Sequence, residues 1–321
     1  MCYSAKIKSE FGKYVRETGA KIDLETFVAI YWERRESTTV KIPKAIDLQF
    51  LAHEAQTDAG KQIQAMIREF DAAQASKLEQ GVFKQKKRQA DAQRILRTKT
   101  TKKAQEDVRI STDKIEWALG KLADIKRTEL KPRDERIFPG WYAPVIVMEN
   151  GQRVVKPMRY QCRPAGKPAF YDTKYPGTYN ARKDNLEGFW KGLYGYSHGI
   201  MWASAFFENV ARHTMEHREL AEGEKEENVI LEFKARGMDD MLVACLWSKW
   251  VGEDGAELLS FAAITDEPPE EVRAAGHDRC IIPIKPEHVD AWLSPNPANL
   301  AVQYAILDDR ERPYYEHRAA A

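Results

Sequence analysis

The sequence predicts an α+β fold, because a long helical stretch is followed by a strand-rich second part. No proline occurs between Pro43 and Pro132, and apolar residues in this stretch recur at the three- and four-residue spacing of helices. After Pro132 apolar runs alternate with turn sequences, and Asn150-Gly151 between two such runs is a strong signal for an antiparallel hairpin. We therefore expect an antiparallel sheet with flanking helices and an inserted helical segment at about 45–130.

Composition and charge set the broad class of the protein. With 321 residues, 43% of them hydrophobic and 10% aromatic, the chain can build a sizeable core, and we expect one domain spanning residues 1–321. It has no run of eighteen apolar residues and its first thirty residues are charged throughout, so we expect no membrane span, no secretory signal and a cytoplasmic location. The net charge of +1 argues against a globally basic nucleic-acid binder but leaves room for a local basic surface.

The first expected elements are one or two short helices within residues 5–37. Asp23 is a suitable N-cap for the second helix, because its side chain can accept a hydrogen bond from the first turn. Leu24, Phe27 and Val28 then follow at helical spacing, so this helix is predicted to begin directly after Asp23.

Residues 45–130 are predicted to form long helices arranged as an antiparallel hairpin. Their middle part, residues 81–103, contains nine basic residues and a single acidic one, Asp91. The nine are Lys84, Lys86, Lys87, Arg88, Arg94, Arg97, Lys99, Lys102 and Lys103. Such a stretch repels itself unless an anion is nearby. Three interpretations stay open: a solvated structural arm, a nucleic-acid contact, and a docking arm for a replication or repair partner.

The rest of the chain is predicted to consist mainly of strands. Besides the hairpin at Asn150-Gly151, residues 228–235 and 241–250 are predicted to form a second strand pair. The acidic stretch 216–227 is interpreted as a solvated hairpin connection. Short helices are expected at 186–194, 269–275 and 286–293.

The four cysteines contain no C-x-x-C pair, which argues against a structural zinc site. Cys162, Cys245 and Cys280 stand in apolar or strand-like contexts and are predicted to be buried thiols. His277 and Cys280 are three residues apart, but no second pair is spaced to complete a metal site. We therefore expect neither a metal nor another cofactor.

Cys2 differs from the other cysteines because it becomes the first residue when the initiator methionine is removed. An N-terminal cysteine carries an α-amine with a pKa of about 7.7–8.0 and a thiol with a pKa of about 8.5 on adjacent carbons. With an aldehyde, the amine forms a Schiff base and the thiolate then closes a thiazolidine ring, which no internal cysteine can do. From position alone, two interpretations are open: a reactive residue, and an incidental cysteine at a chain end.

Five segments of the chain occur in a distinctive order. They are Met1-Cys2, MRYQCRP at 158–164, Asn-Ala-Arg at 180–182, Glu208 in ASAFFEN, and His-Asp-Arg at 277–279. In order and spacing they resemble the SRAP family, the SOS response-associated peptidases or abasic-site-processing proteins. The resemblance covers residues 1–40 and 132–295. The chain departs from the family pattern at Tyr3 and Ser4, where the family has glycine and arginine, and at Tyr160, where it has tryptophan.

The resemblance implies a partly barrel-like sheet and covalent capture of abasic sites in single-stranded DNA. Cys2 would form the Schiff base and then a stable thiazolidine crosslink, with an associated lyase activity and self-removal of Met1. Asn180 would hold the Cys2 amine or a sugar hydroxyl. Glu208 would act as general acid or base, and His277 would protonate the ring oxygen of the closed sugar.

The resemblance also implies the residues that hold the DNA. Arg182 and Arg159 would clamp phosphates, because guanidinium groups match their geometry. Tyr160 would stack on a base beside the lesion. The expected partner is therefore single-stranded DNA with an abasic site, bound by a monomer.

Two other functions remain open. Cys2 could be the nucleophile of an N-terminal-nucleophile peptidase, which needs an oxyanion hole that a sequence does not reveal. Alternatively, a non-catalytic protein could bind nucleic acid or a protein partner through the basic helices at 81–103.

Overall fold

The computed structural model describes residues 3–37 and 39–320 of the chain. Within these residues, helices and a large sheet form an α+β fold, so the predicted fold class is confirmed. The strands are β1 (Ser4–Ile7), β2 (Lys21–Ile22), β3 (Arg136–Ile137), β4 (Tyr142–Glu149), β5 (Gln152–Tyr160), β6 (Asn180–Arg182), β7 (His198–Ala211), β8 (Asn228–Ala235), β9 (Met241–Val251), β10 (Glu257–Asp266), β11 (Cys280–Ile281) and β12 (Tyr315–Ala319).

Helices flank the sheet and form most of the segment between β2 and β3. They are α1 (Phe11–Thr18), α2 (Leu24–Glu36), α3 (Lys44–Leu51), α4 (Asp58–Thr98), α5 (Lys102–Lys126), α6 (Tyr171–Lys174), α7 (Arg212–Met215), α8 (Glu270–Ala274), α9 (Val289–Leu293) and α10 (Leu300–Asp308). Single 3₁₀ turns occur at Pro132–Glu135, Lys183–Asn185 and Pro286–His288. The Asp23 side chain accepts a hydrogen bond from the Thr26 N–H at 3.1 Å, which confirms the predicted N-cap of α2.

Five strands close into a barrel. β4 pairs with β5, β5 with β10, β10 with β9, β9 with β7, and β7 again with β4. All of these pairings are antiparallel except β5–β10, which is parallel. The expected barrel-like sheet is therefore confirmed.

The hairpin of β4 and β5 forms as predicted. Asn150 and Gly151 have φ angles of 52° and 76°, so both adopt the left-handed conformation that a two-residue type I′ turn requires. Glu149 and Gln152 are paired directly across this turn, which fixes the register of the whole hairpin.

The long strand β7 joins the barrel to the remaining strands. Its residues 198–203 pair with β9 and its residues 206–211 pair with β8. The predicted pairing of 228–235 with 241–250 is therefore wrong, because β7 is long enough to pair with both strands in succession. The acidic stretch 216–227 does connect two antiparallel strands, β7 and β8, as expected.

The segment 186–194 forms turns, and its prediction as a helix is wrong. The Asn185 side chain accepts a hydrogen bond from the Phe189 N–H at 3.1 Å, which competes with helical bonding. Several main-chain bonds here span three residues, such as Leu193 N–H to the Trp190 carbonyl, and Gly188 and Gly192 lower the helix propensity further. Trp190 and Leu193 are nevertheless buried, which explains the helix-like apolar spacing.

The barrel strands contribute alternate residues to two hydrophobic clusters. Met201 and Ala203 belong to the first cluster, which also contains Phe261. Ile200 and Trp202 belong to the second cluster, on the opposite face of the same strand. This alternation follows from the two-residue period of a strand.

The helices α4 and α5 form the predicted antiparallel hairpin. The half of this hairpin next to the main core, which we call proximal, is packed differently from the other half, which we call distal. In the proximal half of α4, Ile63, Met66 and Ile67 belong to the first core cluster. The distal half has a small cluster of its own, formed by Val82, Ile115, Ala118 and Leu122 with Ala75 and Leu78. We call the residues from Ala75 to Gly120 the distal arm. The inserted segment predicted at about 45–130 is therefore only partly separate from the rest of the fold, because the proximal half of α4 completes the main core.

A buried carboxyl–imidazole pair as candidate functional site

Glu208 lies near the end of β7, where neighbouring strands cover it on both sides. It pairs with Leu231 of β8, and the preceding residue, Phe207, pairs with Ser4 of β1. Its side chain is completely buried. A carboxyl group in such a position loses its hydration and requires hydrogen-bonding neighbours.

His277 is brought to Glu208 by the turn that follows α8. Gly276 has a φ of 94°, a conformation that side chains other than glycine rarely adopt, so the chain turns sharply before the histidine. The His277 Nε2 atom lies 3.1 Å from a Glu208 carboxyl oxygen, and the imidazole is 8% exposed. Its Nδ1 atom lies 2.9 Å from the Arg279 carbonyl oxygen and 3.3 Å from the Arg279 main-chain nitrogen, so the backbone of Arg279 fixes the orientation of the ring.

The pKa shifts of the two groups favour a neutral pair. Burial raises the pKa of Glu208 to about 8, although the main-chain N–H of Tyr3, which donates to the carboxylate, opposes the rise. Burial lowers the pKa of His277. Near neutral pH these shifts favour the neutral form of both groups, with the carboxyl oxygen and Nε2 3.1 Å apart. The contact places a titratable acid beside a titratable base in a largely dry site.

Asn180 is the first residue of β6, which pairs in parallel with the end of β10. Its side chain is 6% exposed, and neither its amide nitrogen nor its carbonyl oxygen has a hydrogen-bond partner among the described residues. Leaving both groups of a buried amide unsatisfied costs about 1–3 kcal/mol per group. Such a cost is typical of a side chain that is kept for a ligand.

Arg182 stands two residues further on, at the exposed end of β6. It forms an ion pair with Asp184, with 3.0 Å between Nε and a carboxylate oxygen, and its side chain is half exposed. Asp184, and more weakly Asp278, raise the pKa of Arg182. Because exposed ion pairs contribute only about 0–1 kcal/mol, a phosphate can replace Asp184 at little cost.

The positions of Arg159 and Tyr160 do not suit their predicted roles. Arg159 is mostly buried and forms an ion pair with Asp172 at 2.8 Å, and Arg163 shares the same carboxylate. Tyr160 is fully buried, with Tyr179 and Phe261 against its ring. The prediction that Tyr160 stacks on a base is therefore wrong, because its side chain is enclosed by the core.

Asp278 is a site residue that the sequence interpretation did not single out, although it belongs to the quoted His-Asp-Arg motif. Its negative charge raises the pKa of both Glu208 and His277. Asp172 was also missed, and no motif marked it. Its role follows only from the fold, which places it between two arginines.

Cys2 lies outside the described residues, but Tyr3 follows it in the chain and contacts Glu208 through its main-chain N–H. The other cysteines are buried free thiols, as predicted. Burial raises the pKa of Cys162 to about 12 and also raises that of Cys245 and Cys280. These three thiols are thus protonated and unreactive at neutral pH.

The described part of the chain shows neither clustered metal ligands nor a membrane-spanning helix. It contains no group of three or more His, Cys, Asp or Glu side chains arranged to hold a metal ion. Among its helices, none is both long and apolar enough to cross a membrane.

Comparison with known proteins gives one strong match. The family model of the SOS response associated peptidase (SRAP) matches residues 93–317. This range begins within α4, ends in β12 and includes Asn180, Arg182, Glu208 and His277. No curated protein matches the chain significantly.

Several solved structures resemble the chain at low identity. A protein from Bordetella bronchiseptica is 16% identical with a TM-score of 0.46, over 58% of this chain and 87% of its own. A protein from Bacteroides thetaiotaomicron is 15% identical with a TM-score of 0.46, over 62% of this chain and 82% of its own. A phage-related protein from Bordetella bronchiseptica is 19% identical with a TM-score of 0.43, over 58% of this chain and 81% of its own.

Proposed function

The chain belongs to the SOS response associated peptidase (SRAP) family, and we propose that it captures abasic sites in single-stranded DNA by a covalent bond to Cys2. The observation that carries the proposal is the contact between the Tyr3 main-chain N–H and the buried Glu208 carboxyl, which lies 3.1 Å from the Nε2 atom of His277. Cys2 directly precedes Tyr3 in the chain, and this adjacency favours the acid–base pair as the group that would serve the Cys2 amine.

The proposed chemistry needs no oxidant and no cofactor. The α-amine of Cys2 attacks the aldehyde carbon of the open sugar, and the resulting carbinolamine loses water to give a Schiff base. The Cys2 thiolate then adds to the imine carbon, and the ring nitrogen takes up a proton. The product is a thiazolidine that links the chain to the DNA.

Each proton transfer in this sequence has a candidate group. Glu208, protonated near neutral pH, supplies the proton that lets the carbinolamine hydroxyl leave as water. His277 would accept or return that proton, because its Nε2 atom lies 3.1 Å from the Glu208 carboxyl. The lyase activity would branch from the Schiff base: a base removes a proton from the sugar carbon next to the imine carbon, and elimination of the 3′-phosphate then breaks the strand.

Two further residues would hold the DNA. The unsatisfied amide of Asn180 is suited to bind the amine or a sugar hydroxyl, because it offers both a donor and an acceptor. Arg182 would exchange Asp184 for a phosphate. Arg159 would contribute only if the strand displaced Asp172.

The chemistry also requires a free α-amine, so Met1 must be removed before the reaction. The same acid–base pair is the candidate for that cleavage, in keeping with the description of the family as peptidases. Intact mass of the purified protein measures this directly. A chain that retains Met1 has its Cys2 nitrogen in an amide and should form no adduct.

The test is incubation with single-stranded DNA carrying one abasic site, followed by a denaturing gel. The wild-type chain should give a heat-stable adduct and Cys2→Ala none. Cys2→Ser keeps the amine but has a poorer second nucleophile, so it should give an adduct only after borohydride reduction. A normal heat-stable adduct from Cys2→Ala would refute the proposal.

A further inference from the structure

The outward side of the distal arm carries an exposed basic stripe, which we define as Phe83, Lys86, Lys87, Arg94 and Arg97 of α4. All five side chains are exposed. At about 100° per residue they fall within an arc of about 100°, and they extend over about 21 Å of helix. The buried Ala92 lies on the opposite side of α4, and the buried Val82 lies about 90° from the centre of the stripe.

The charges of this region are not balanced by neighbouring carboxylates. Between residues 81 and 103, Arg88 pairs with Asp107 and Arg94 pairs with Asp91. The other basic residues of this stretch have no ion-pair partner within residues 3–37 and 39–320; they are Lys84, Lys86, Lys87, Arg97, Lys99, Lys102 and Lys103. An unbalanced surface of this kind attracts a polyanion.

Helix α5 shows how charges are arranged on a helical face of the same protein that is simply solvated. There Arg109 pairs with both Glu106 and Asp113, at three- and four-residue spacing. Basic and acidic side chains alternate along α5, as is usual for a solvated helical face. Solubility alone therefore does not explain the segregated charge of α4.

Phe83 indicates which polyanion fits. Its ring is 75% exposed and lies among the cations of the stripe. Surfaces that bind single-stranded nucleic acid combine cations, which contact the phosphates, with aromatic rings, on which bases stack. A duplex keeps its bases stacked internally and gives an exposed ring no partner.

We propose that the basic stripe binds a single-stranded nucleic acid, with phosphates at Lys86, Lys87 and Arg97 and a base stacked on Phe83. That this strand is the DNA flanking an abasic site rests on the proposed function. The binding itself does not, because it uses neither Cys2 nor the acid–base pair. The distal arm would thus hold an undamaged part of the strand.

The salt dependence of binding to undamaged single-stranded DNA tests the phosphate contacts. The variant Lys86→Gln/Lys87→Gln/Arg97→Gln removes three cations from the stripe, and glutamine has a similar helix propensity. Each lost contact changes the log–log slope by about 0.7, so the slope should flatten by about 2.

A control variant of equal charge separates local contacts from general electrostatics. Lys77→Gln/Lys114→Gln/Lys121→Gln also removes three exposed cations from α4 and α5, outside the stripe. This control should keep the wild-type slope. Equal changes of the slope in both triple variants would overturn the proposal. No change in either variant would also overturn it and would leave a protein partner as the ligand of the arm.

Stacking on Phe83 is tested with a second pair of variants. Phe83→Ala should weaken binding of single-stranded DNA about fivefold or more at constant salt, while duplex affinity stays unchanged. Trp117→Ala removes another exposed ring of the arm, 61% exposed and outside the stripe, and should change neither. An unchanged single-strand affinity in Phe83→Ala would refute the stacking.

These outcomes are independent of the covalent chemistry. Undamaged DNA has no aldehyde, so it binds without forming an adduct. If abasic DNA gives no adduct while the stripe variant flattens the slope, the proposed function fails and the basic stripe stands. If the adduct forms and both triple variants bind like the wild type, the basic stripe fails and the proposed function stands.

Discussion

At the residue scale, the chemically informative feature is a buried carboxyl group beside a buried imidazole. A Glu208 carboxyl oxygen and His277 Nε2 lie 3.1 Å apart, and burial raises the pKa of the carboxyl and lowers that of the imidazole, which favours the neutral form of each. A carboxylic acid with a pKa near the working pH both gives and takes protons readily. Such a pair suits a reaction in which a hydroxyl group first leaves as water and a nitrogen atom later takes up a proton.

The raised pKa of Glu208 predicts how stability depends on pH. The carboxyl has an ordinary pKa of 4.5 and a folded-state pKa of about 8, so between these values the unfolded chain releases a proton that the folded chain keeps. The free energy of unfolding should therefore fall as pH rises through this window. The lowered pKa of His277 makes the free energy of unfolding rise with pH, but only below pH 6.5. Between pH 6.5 and 8 the effect of Glu208 is therefore not opposed by His277.

Chemical denaturation of the wild type and Glu208→Gln at pH 6.5 and 8 measures this effect. Between pH 6.5 and 8 the free energy of unfolding of Glu208→Gln should rise by about 2 kcal/mol relative to that of the wild type, because glutamine cannot ionise. Other titrating groups cancel in the difference. A difference between the two proteins that is independent of pH would contradict the raised pKa.

The same substitution should separate the rate of crosslinking from the affinity for DNA. A positioned acid or base contributes about 10²–10⁴-fold to the rate, so Glu208→Gln should slow adduct formation by a factor in this range. Binding of undamaged single-stranded DNA should stay within about twofold of the wild type. Weaker binding with an unchanged rate per bound complex would assign Glu208 a positioning role instead.

The sequence identified the polar residues of the site more readily than their surroundings. Glu208 and His277 were found because they belong to recognisable motifs, and their contact is a finding of the fold. Tyr160 also lies in a motif, yet its role was misjudged, because burial depends on Tyr179 and Phe261, which are distant along the chain or on another strand. No local pattern reports such packing.

At the element scale, replacing glycine by alanine should change the free energy of unfolding in opposite directions at two positions. Gly151 has a φ of 76° and Gly120 lies inside α5, and a Cβ atom at either position meets nothing within 4 Å. Gly151→Ala should lower the free energy of unfolding by about 1 kcal/mol, since alanine is strained in the left-handed conformation.

Gly120→Ala should instead raise the free energy of unfolding, by about 0.5–1 kcal/mol, because glycine inside a helix loses more backbone entropy than alanine. Urea unfolding of both variants measures the two effects. If both variants were destabilised alike, the left-handed turn would not be the cause of the Gly151 effect.

Elements with strong local signals were the predictable ones. The Asn-Gly turn and the Asp23 cap each depend on a few neighbouring residues, and both were found correctly. The segment 186–194 failed because its apolar spacing suits a helix, whereas the Asn185 side chain bonds to the backbone and favours turns. Side-chain competition of this kind is not visible in the apolar pattern.

At the scale of the whole molecule, the division of the helical hairpin predicts which part is dispensable. Gln74 and Lys121 border the same surface groove, so a short glycine-rich loop can join them in place of residues 75–120. This deletion should leave cooperative unfolding and adduct formation intact. Deleting 45–130 should prevent folding, because Ile63, Met66 and Ile67 complete the main core.

Far-ultraviolet circular dichroism and thermal unfolding of the two deletion variants provide the measurement. A folded 45–130 deletion would show that the proximal half of α4 is not needed for the main core. An unfolded 75–120 deletion would show that the distal arm is more than an appendage.

Closure of the barrel could be expected only through the family resemblance. The ring depends on the parallel pairing of β5 with β10, about a hundred residues apart, with Ser260 opposite Arg159. Apolar alternation predicts that a strand exists but not its partner. The wrong pairing of 228–235 with 241–250 arose in the same way, because β7 supplies the neighbour of both strands.

The central claim is that Cys2, freed from Met1, forms the bond to the abasic site. Mass spectrometry of the purified adduct tests it most directly, followed by protease digestion to locate the modified residue. The predicted mass is that of the chain without Met1 plus the oligonucleotide minus one water, with the modification on the peptide beginning at Cys2. An adduct that retains Met1, or one attached to a lysine elsewhere in the chain, would contradict the account.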